Sequence, residues 1–110
     1  MSKTLWSVKF QSNNFDFGSG VVAIDGDQVY GGDHGYYYVG KCTISGNSAT
    51  AIVTVTKHNP TVTSVFGNIQ TFNLVLTGNV VSNTISFTGN VEGQPAMKMT
   101  ATMQKLVNLA

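Results

Sequence analysis

Charged residues are scarce in this 110-residue chain, and their scarcity excludes some classes of partner. Asp, Glu, Lys and Arg together make up 10% of the residues, against about a quarter in an average globular domain. All six cations are lysines, scattered singly as Lys3, Lys9, Lys41, Lys57, Lys98 and Lys105. Nucleic-acid readers cluster Lys and Arg against phosphates. We therefore expect no direct binding to DNA or RNA.

Cysteine and long apolar runs are also lacking. Cys42 is the only cysteine, so the chain forms no internal disulfide and does not require an oxidising compartment. The start, "MSKTLWSVKF", lacks the apolar core of a signal peptide. No hydrophobic run approaches the length of a membrane span. We expect a cytoplasmic protein of one domain, residues 1–110, without membrane association.

Apolar and polar residues alternate along most of the chain. In "LWSVKFQ", Trp6, Val8 and Phe10 fall on one face and polar residues on the other. The stretches "TFNLVLTG", "TISFTGNVE" and "AMKMTATMQ" repeat this alternation. Such a period of two predicts antiparallel strands with one buried and one solvated face.

Turn residues separate these runs at short intervals. Asp25-Gly26 and the "SGNS" stretch at Ser45–Ser48 are typical of tight hairpins. In the "GGDHG" stretch we expect Gly31, Gly32 and Gly35 to supply positive φ angles, with Asp33 capping the turn. About eight short strands predict a closed up-and-down β-barrel, with an open sandwich as the alternative.

One connection is unusually apolar. Pro60 cannot donate to a strand ladder, so the preceding strand should end by His58. Val62, Val65 and Phe66 follow within what should be a loop. They predict a short helical or loop cap that acts as a lid over one end of the β-structure.

The "GGDHGYYYVG" stretch, Gly31 to Gly40, holds the densest group of reactive side chains. Asp33 and His34 are adjacent on a loop, where they are poorly placed to act together as acid and base, and no nucleophile accompanies them. We expect no enzyme. The residues His34, His58 and Cys42 lack chelating spacing, so we expect neither a metal nor a cofactor, and Cys42 should be an inert buried thiol.

The inward face of the predicted barrel is rich in aromatic residues and methionine. An ordinary packed core is the favoured interpretation, because small barrels usually fill themselves with side chains. The alternative is a cavity for a small apolar ligand, with flexible methionines in its wall. Its lining would be Trp6, Phe10, Tyr36, Tyr38, Phe72, Leu74, Phe87, Met97 and Met99.

The segment from Leu5 to Gly40 resembles the GrlR family, the negative regulators of type III secretion and their relatives. The shared order is W-x-V-x-F, F-G-x-G-V-V and G-G-D-x-x-Y-x-Y-x-G, followed by a long strand, a loop and a "TSVFG"-like segment. The resemblance implies a lipocalin-like antiparallel barrel that is not an enzyme and is usually a homodimer. It also implies binding to a transcriptional activator, and gives Gly31, Gly32, Asp33, Tyr36, Tyr38 and Gly40 an architectural role.

One departure from that family concerns the partner surface. The regulatory members carry an acidic patch in the hairpin that corresponds to Ser45–Ala49, where this chain has "SGNSA". A charge at an interface rim chiefly affects association rate and partner choice, so binding remains expected while the partner's identity stays open. We expect a partner surface that comprises Tyr37, Ser45, Gly46, Asn47 and Ser48.

Overall fold

The structure, a computed structural model, describes residues 3–12, 16–59 and 71–109 of the chain. It is a closed barrel of eight antiparallel strands, which confirms the predicted fold class. The strands are β1 (Lys3–Ser12), β2 (Asp16–Asp25), β3 (Gln28–Gly32), β4 (Tyr36–Ser45), β5 (Ser48–Lys57), β6 (Thr71–Val81), β7 (Thr84–Val91) and β8 (Gln94–Asn108). Within the described ranges, no helix is long and apolar enough to cross a membrane.

Each strand pairs with the next along the chain, and β8 pairs back onto β1. The closing ladder places Val8 opposite Met103 and Phe10 opposite Ala101. Closure removes the exposed strand edges through which sheets aggregate. This matters for a chain with so few charged side chains, because charge is the usual protection of an open edge.

The core lies inside the barrel and is built from alternate residues of every strand. β5 shows the pattern clearly, since Ala49, Ala51, Val53 and Val55 are buried between more exposed neighbours. Leu74 and Ile85 are the largest fully buried side chains. The Trp6 indole N–H donates to the Thr4 hydroxyl at 2.7 Å, so burial of this ring leaves its polar atom paired.

The expectation for Gly31, Gly32 and Gly35 is wrong. Gly31 and Gly32 lie within β3, and the positive φ angles of described glycines occur at Gly26, Gly46 and Gly93. Gly31 instead allows a close approach between strands, because a Cβ there would lie 2.1 Å from the Val21 carbonyl oxygen.

Two further predictions fall outside what the structure describes. The lid residues Val62, Val65 and Phe66 lie outside the described residues, and so does the side chain of Met97. The strand before this connection ends at Lys57, in agreement with the prediction from Pro60.

Candidate functional site

Asp33 organises one end of the barrel, at the connection between β3 and β4. Its Oδ1 accepts hydrogen bonds from the backbone N–H of Gly35 at 2.8 Å and of Tyr36 at 2.9 Å. Its Oδ2 accepts a hydrogen bond from the Tyr38 hydroxyl. The carboxylate therefore caps its own turn, as predicted, and fastens the turn to a side chain inside the barrel.

The Asp33 carboxylate therefore binds the turn and Tyr38 and does not form an acid–base pair with His34. His34 is exposed, while the Nε2 atom of His58 lies 3.0 Å from the Asp33 carbonyl oxygen. Burial, and then the hydrogen bond and negative charge of Asp33, raise the pKa of Tyr38 well above its ordinary value. In the described part of the chain, no group of three His, Cys, Asp or Glu side chains is placed to hold a metal.

The predicted lining residues meet inside the barrel. Tyr36 is partly buried and packs against the core. The ring of Phe10 lies 5.1 Å from that of Tyr38, and the ring of Tyr36 lies 6.5 Å from that of Phe72, both in edge-to-face geometry. The predicted lining residues that are fully buried are Trp6, Phe10, Tyr38, Phe72, Leu74, Phe87 and Met99.

A cavity of about 30 Å³ lies inside the barrel. Of the predicted lining residues, Phe10, Tyr38, Leu74 and Phe87 contribute to its wall, together with Cys42 and others, whereas Trp6, Tyr36, Phe72 and Met99 do not. An apolar cavity of about 150 Å³ is known to admit benzene. The cavity in this barrel is much smaller than that.

Cys42 faces this cavity and is buried. Burial raises the pKa of its thiol, so the reactive thiolate form is suppressed. Both observations agree with the predicted inert thiol.

Nearer the Asp33 end, the Tyr36 side chain carries a hydroxyl that is buried and has no hydrogen-bond partner among the described residues. Tyr36 pairs directly with Lys57 of β5, and directly paired residues of antiparallel strands share a face. Lys57 is partly buried and forms no ion pair within the described ranges. Sequence patterns could not reveal this pair, since it depends on the register of β4 and β5.

The predicted partner surface is divided in space. Tyr37 points outward and is 45% exposed, and the Ser45–Ser48 hairpin is exposed as well. However, Tyr37 and Ser45 lie at opposite ends of β4, about 26 Å apart at the usual rise of a strand. They therefore lie in separate parts of the barrel surface.

A more continuous surface joins Tyr37 to apolar residues that the sequence patterns did not single out. Tyr30 pairs with Val39, Ile52 pairs with Val75, and Gly32 separates Val21 from Tyr37. All are exposed on the outside of the barrel, Ile52 by 57%. We call this surface the β2–β6 apolar face: Val21, Tyr30, Tyr37, Val39, Ile52 and Val75.

Exposed polar residues continue around the rest of the barrel. A single cross-strand row of exposed hydroxyls runs around β4 to β8 as Thr43, Thr50, Thr77, Thr88 and Thr100. No large hydrophobic residue is exposed on β7 or between Lys98 and Gln104. The other exposed apolar residues of the described strands lie near strand ends, at Ile44, Val81, Leu106 and Val107.

No protein-family model and no curated protein matches the chain.

Proposed function

We propose that this protein is a non-catalytic binding protein that acts by protein–protein contact. The observation that carries the proposal is the β2–β6 apolar face, which extends across five of the eight strands, about 20 Å measured along the curved sheet at the usual strand spacing. The largest apolar patches on soluble proteins often mark interaction sites. A standard interface buries about 800 Å² on each partner, so this face would form its centre and the surrounding Thr and Asn residues its polar rim.

Lys41 places a positive charge within the β2–β6 apolar face. Its cross-strand neighbours are Gln28 and Ile52, and among the described residues it has no carboxylate within 4 Å. A partner with an acidic group among apolar side chains would complement both features. The lysine would then influence partner choice.

The resemblance to the GrlR family supports a regulatory role for this contact. By that resemblance, the protein would be a homodimer and its partner a transcriptional regulator. The hairpin at Ser45–Ser48 carries no acid, and it stands apart from the apolar face. The proposed contact therefore uses the side of the barrel rather than the hairpin.

Photo-crosslinking tests the surface. A crosslinking residue at position 37 should capture a specific protein in cells that produce the chain, whereas one at Thr102, an exposed position of β8, should not. Ile52→Thr should weaken that capture, while Leu106→Thr, at a position of similar exposure, should leave it unchanged. Equal capture from positions 37 and 102 would contradict the proposal.

A second candidate is a carrier of a small apolar ligand. The observation in its favour is the partnerless Tyr36 hydroxyl inside an aromatic wall. The small cavity limits such a ligand to a compact one. Native mass spectrometry of the purified protein tests both ideas, since a dimer without added mass supports a surface function and bound mass supports a carrier.

A further inference from the structure

The Tyr36 hydroxyl is the starting point, because buried hydroxyl groups in folded proteins are nearly always paired. Its oxygen is shielded from solvent and has no partner in the described part of the chain. Tyr38, two residues along the same strand, offers a contrast, since its hydroxyl donates to Asp33. The hydroxyl of Tyr38 is thus hydrogen-bonded within the protein, and the hydroxyl of Tyr36 is not.

Asp33 is not that partner. Its Oδ1 accepts from the backbone N–H groups of Gly35 and Tyr36, and its Oδ2 accepts from Tyr38. The Tyr36 hydroxyl therefore keeps a proton without an acceptor among the described residues, and a bound group that accepts hydrogen bonds would satisfy it.

Lys57 indicates the charge of that acceptor. It stands directly opposite Tyr36 on the inward side of β5, is partly buried, and has no ion-pair partner among the described residues. A hydroxyl and an ammonium are both donors, and together they match a carboxylate, which only accepts.

The surroundings indicate what the carboxylate is attached to. The Phe72 ring contacts Tyr36, and the Phe10 and Tyr38 rings lie further into the barrel. Beyond them is the cavity of about 30 Å³. This volume has room for an alkyl tail of about two carbons and not for a lipid chain.

We propose that the Asp33 end of the barrel binds a short-chain alkyl carboxylate, held by the Tyr36 hydroxyl and the Lys57 ammonium. The inference rests on the second candidate function and names its ligand class and its anchoring residues. The alkyl tail points toward Cys42, and the carboxylate stays near the rim.

The stability of the free protein provides the first test. Tyr36→Phe removes a hydroxyl that has no partner, so it should leave the midpoint of urea unfolding unchanged or raise it. Tyr38→Phe removes a satisfied hydroxyl and should lower that midpoint. Equal destabilisation by both changes would show that the Tyr36 hydroxyl has a structural partner, which would overturn the inference.

Calorimetric titration of the full chain provides the second test, with sodium propionate as the probe and 1-propanol and propylamine as controls of matched length. Propionate should bind more tightly than either control. Tyr36→Phe and Lys57→Gln should each weaken propionate binding about tenfold, the usual effect of losing one charge-assisted hydrogen bond. Lys9→Gln removes an exposed lysine outside the barrel and should have no effect.

The outcomes separate this inference from the carrier function. If propanol binds as tightly as propionate and Tyr36→Phe changes neither, the barrel takes small ligands but the proposed anchor is wrong. If neither compound binds, both the anchor and the carrier function fail. If propionate binds but Lys57→Gln has no effect, the assignment of the ammonium is overturned.

Discussion

The Tyr38 hydroxyl donates a hydrogen bond to the Asp33 carboxylate, and this bond joins the β3–β4 turn to the barrel core. Tyr38 is 3% exposed, so its hydroxyl would be costly to leave unpaired. The turn also depends on Asp33 for the N–H groups of Gly35 and Tyr36. A single carboxylate thus supports both the loop and the buried ring.

Replacement of Asp33 should show this double role. Asp33→Ala leaves three donors without their acceptor and should lower the free energy of unfolding by about 3 kcal/mol. Asp33→Asn keeps an oxygen for the two N–H groups and should cost less. Urea unfolding followed by tryptophan fluorescence measures both, and equal costs would contradict the assignment of the turn bonds.

The same pair predicts a loss of stability at alkaline pH. The pKa of Tyr38 is raised in the folded protein from an ordinary value of 10.0. Below pH 10 the phenol is neutral in both folded and unfolded chains, and its contribution is fully present. Above pH 10 the unfolded chain loses this proton more readily, so stability should fall by up to about 1.4 kcal/mol per pH unit. Tyr38→Phe should remove this part of the decline, as unfolding curves between pH 9 and 11 would show.

Alanine substitutions at Gly31 and Gly46 should lower the stability of the protein by different amounts. At Gly31 an added Cβ would lie 2.1 Å from the Val21 carbonyl oxygen and 2.6 Å from the Val22 Cα. The β2–β3 ladder would have to separate, at a cost of about 3 kcal/mol. At Gly46 an added Cβ meets nothing within 4 Å, so the cost is that of a left-handed backbone, about 1–2 kcal/mol. Thermal unfolding compares the two, and a smaller loss at Gly31 would contradict the close approach.

The barrel could be predicted from the sequence because the alternation of apolar and polar residues along a strand indicates which of its side chains are buried. In β5, alternate residues such as Val53 and Val55 are buried, and this pattern is local. This alternation did not predict β3, where the close approach of two backbones, and not side-chain polarity, determines which residues occur. β3 was not delimited because Gly31 and Gly32 resemble a turn, yet they are strand residues that allow two strands to approach.

The candidate sites were harder to predict because they depend on register. Ile52 lies between buried Ala51 and Val53. Because all three residues are apolar, the sequence does not show which of them points outward. The position of Lys57 opposite Tyr36 is a property of the β4–β5 ladder. Composition could suggest aromatic walls, but not which hydroxyl would lack a partner.

Neighbouring residues of β6 test the assignment of the two faces. Leu74 is 1% exposed, whereas Val75 is 36% exposed. Leu74→Ala should destabilise the protein by about 3 kcal/mol, through lost burial and the enlarged cavity. Val75→Thr keeps a branched residue on the solvent side and should change stability by about 0.5 kcal/mol or less. Similar losses in chemical unfolding would contradict the described register.

Cys42 should be protected from thiol reagents as long as the barrel is folded. Its thiol is buried and its pKa is raised by that burial, so a reagent must wait for the barrel to open. Labelling with Ellman's reagent should be on the order of 1,000-fold slower in buffer than in urea. Thr43→Cys in a Cys42→Ala background places the thiol on the adjacent exposed position, where labelling should be rapid without urea. Rapid labelling of Cys42 itself would mean that the interior opens readily, and the packed wall around the cavity would then be wrong.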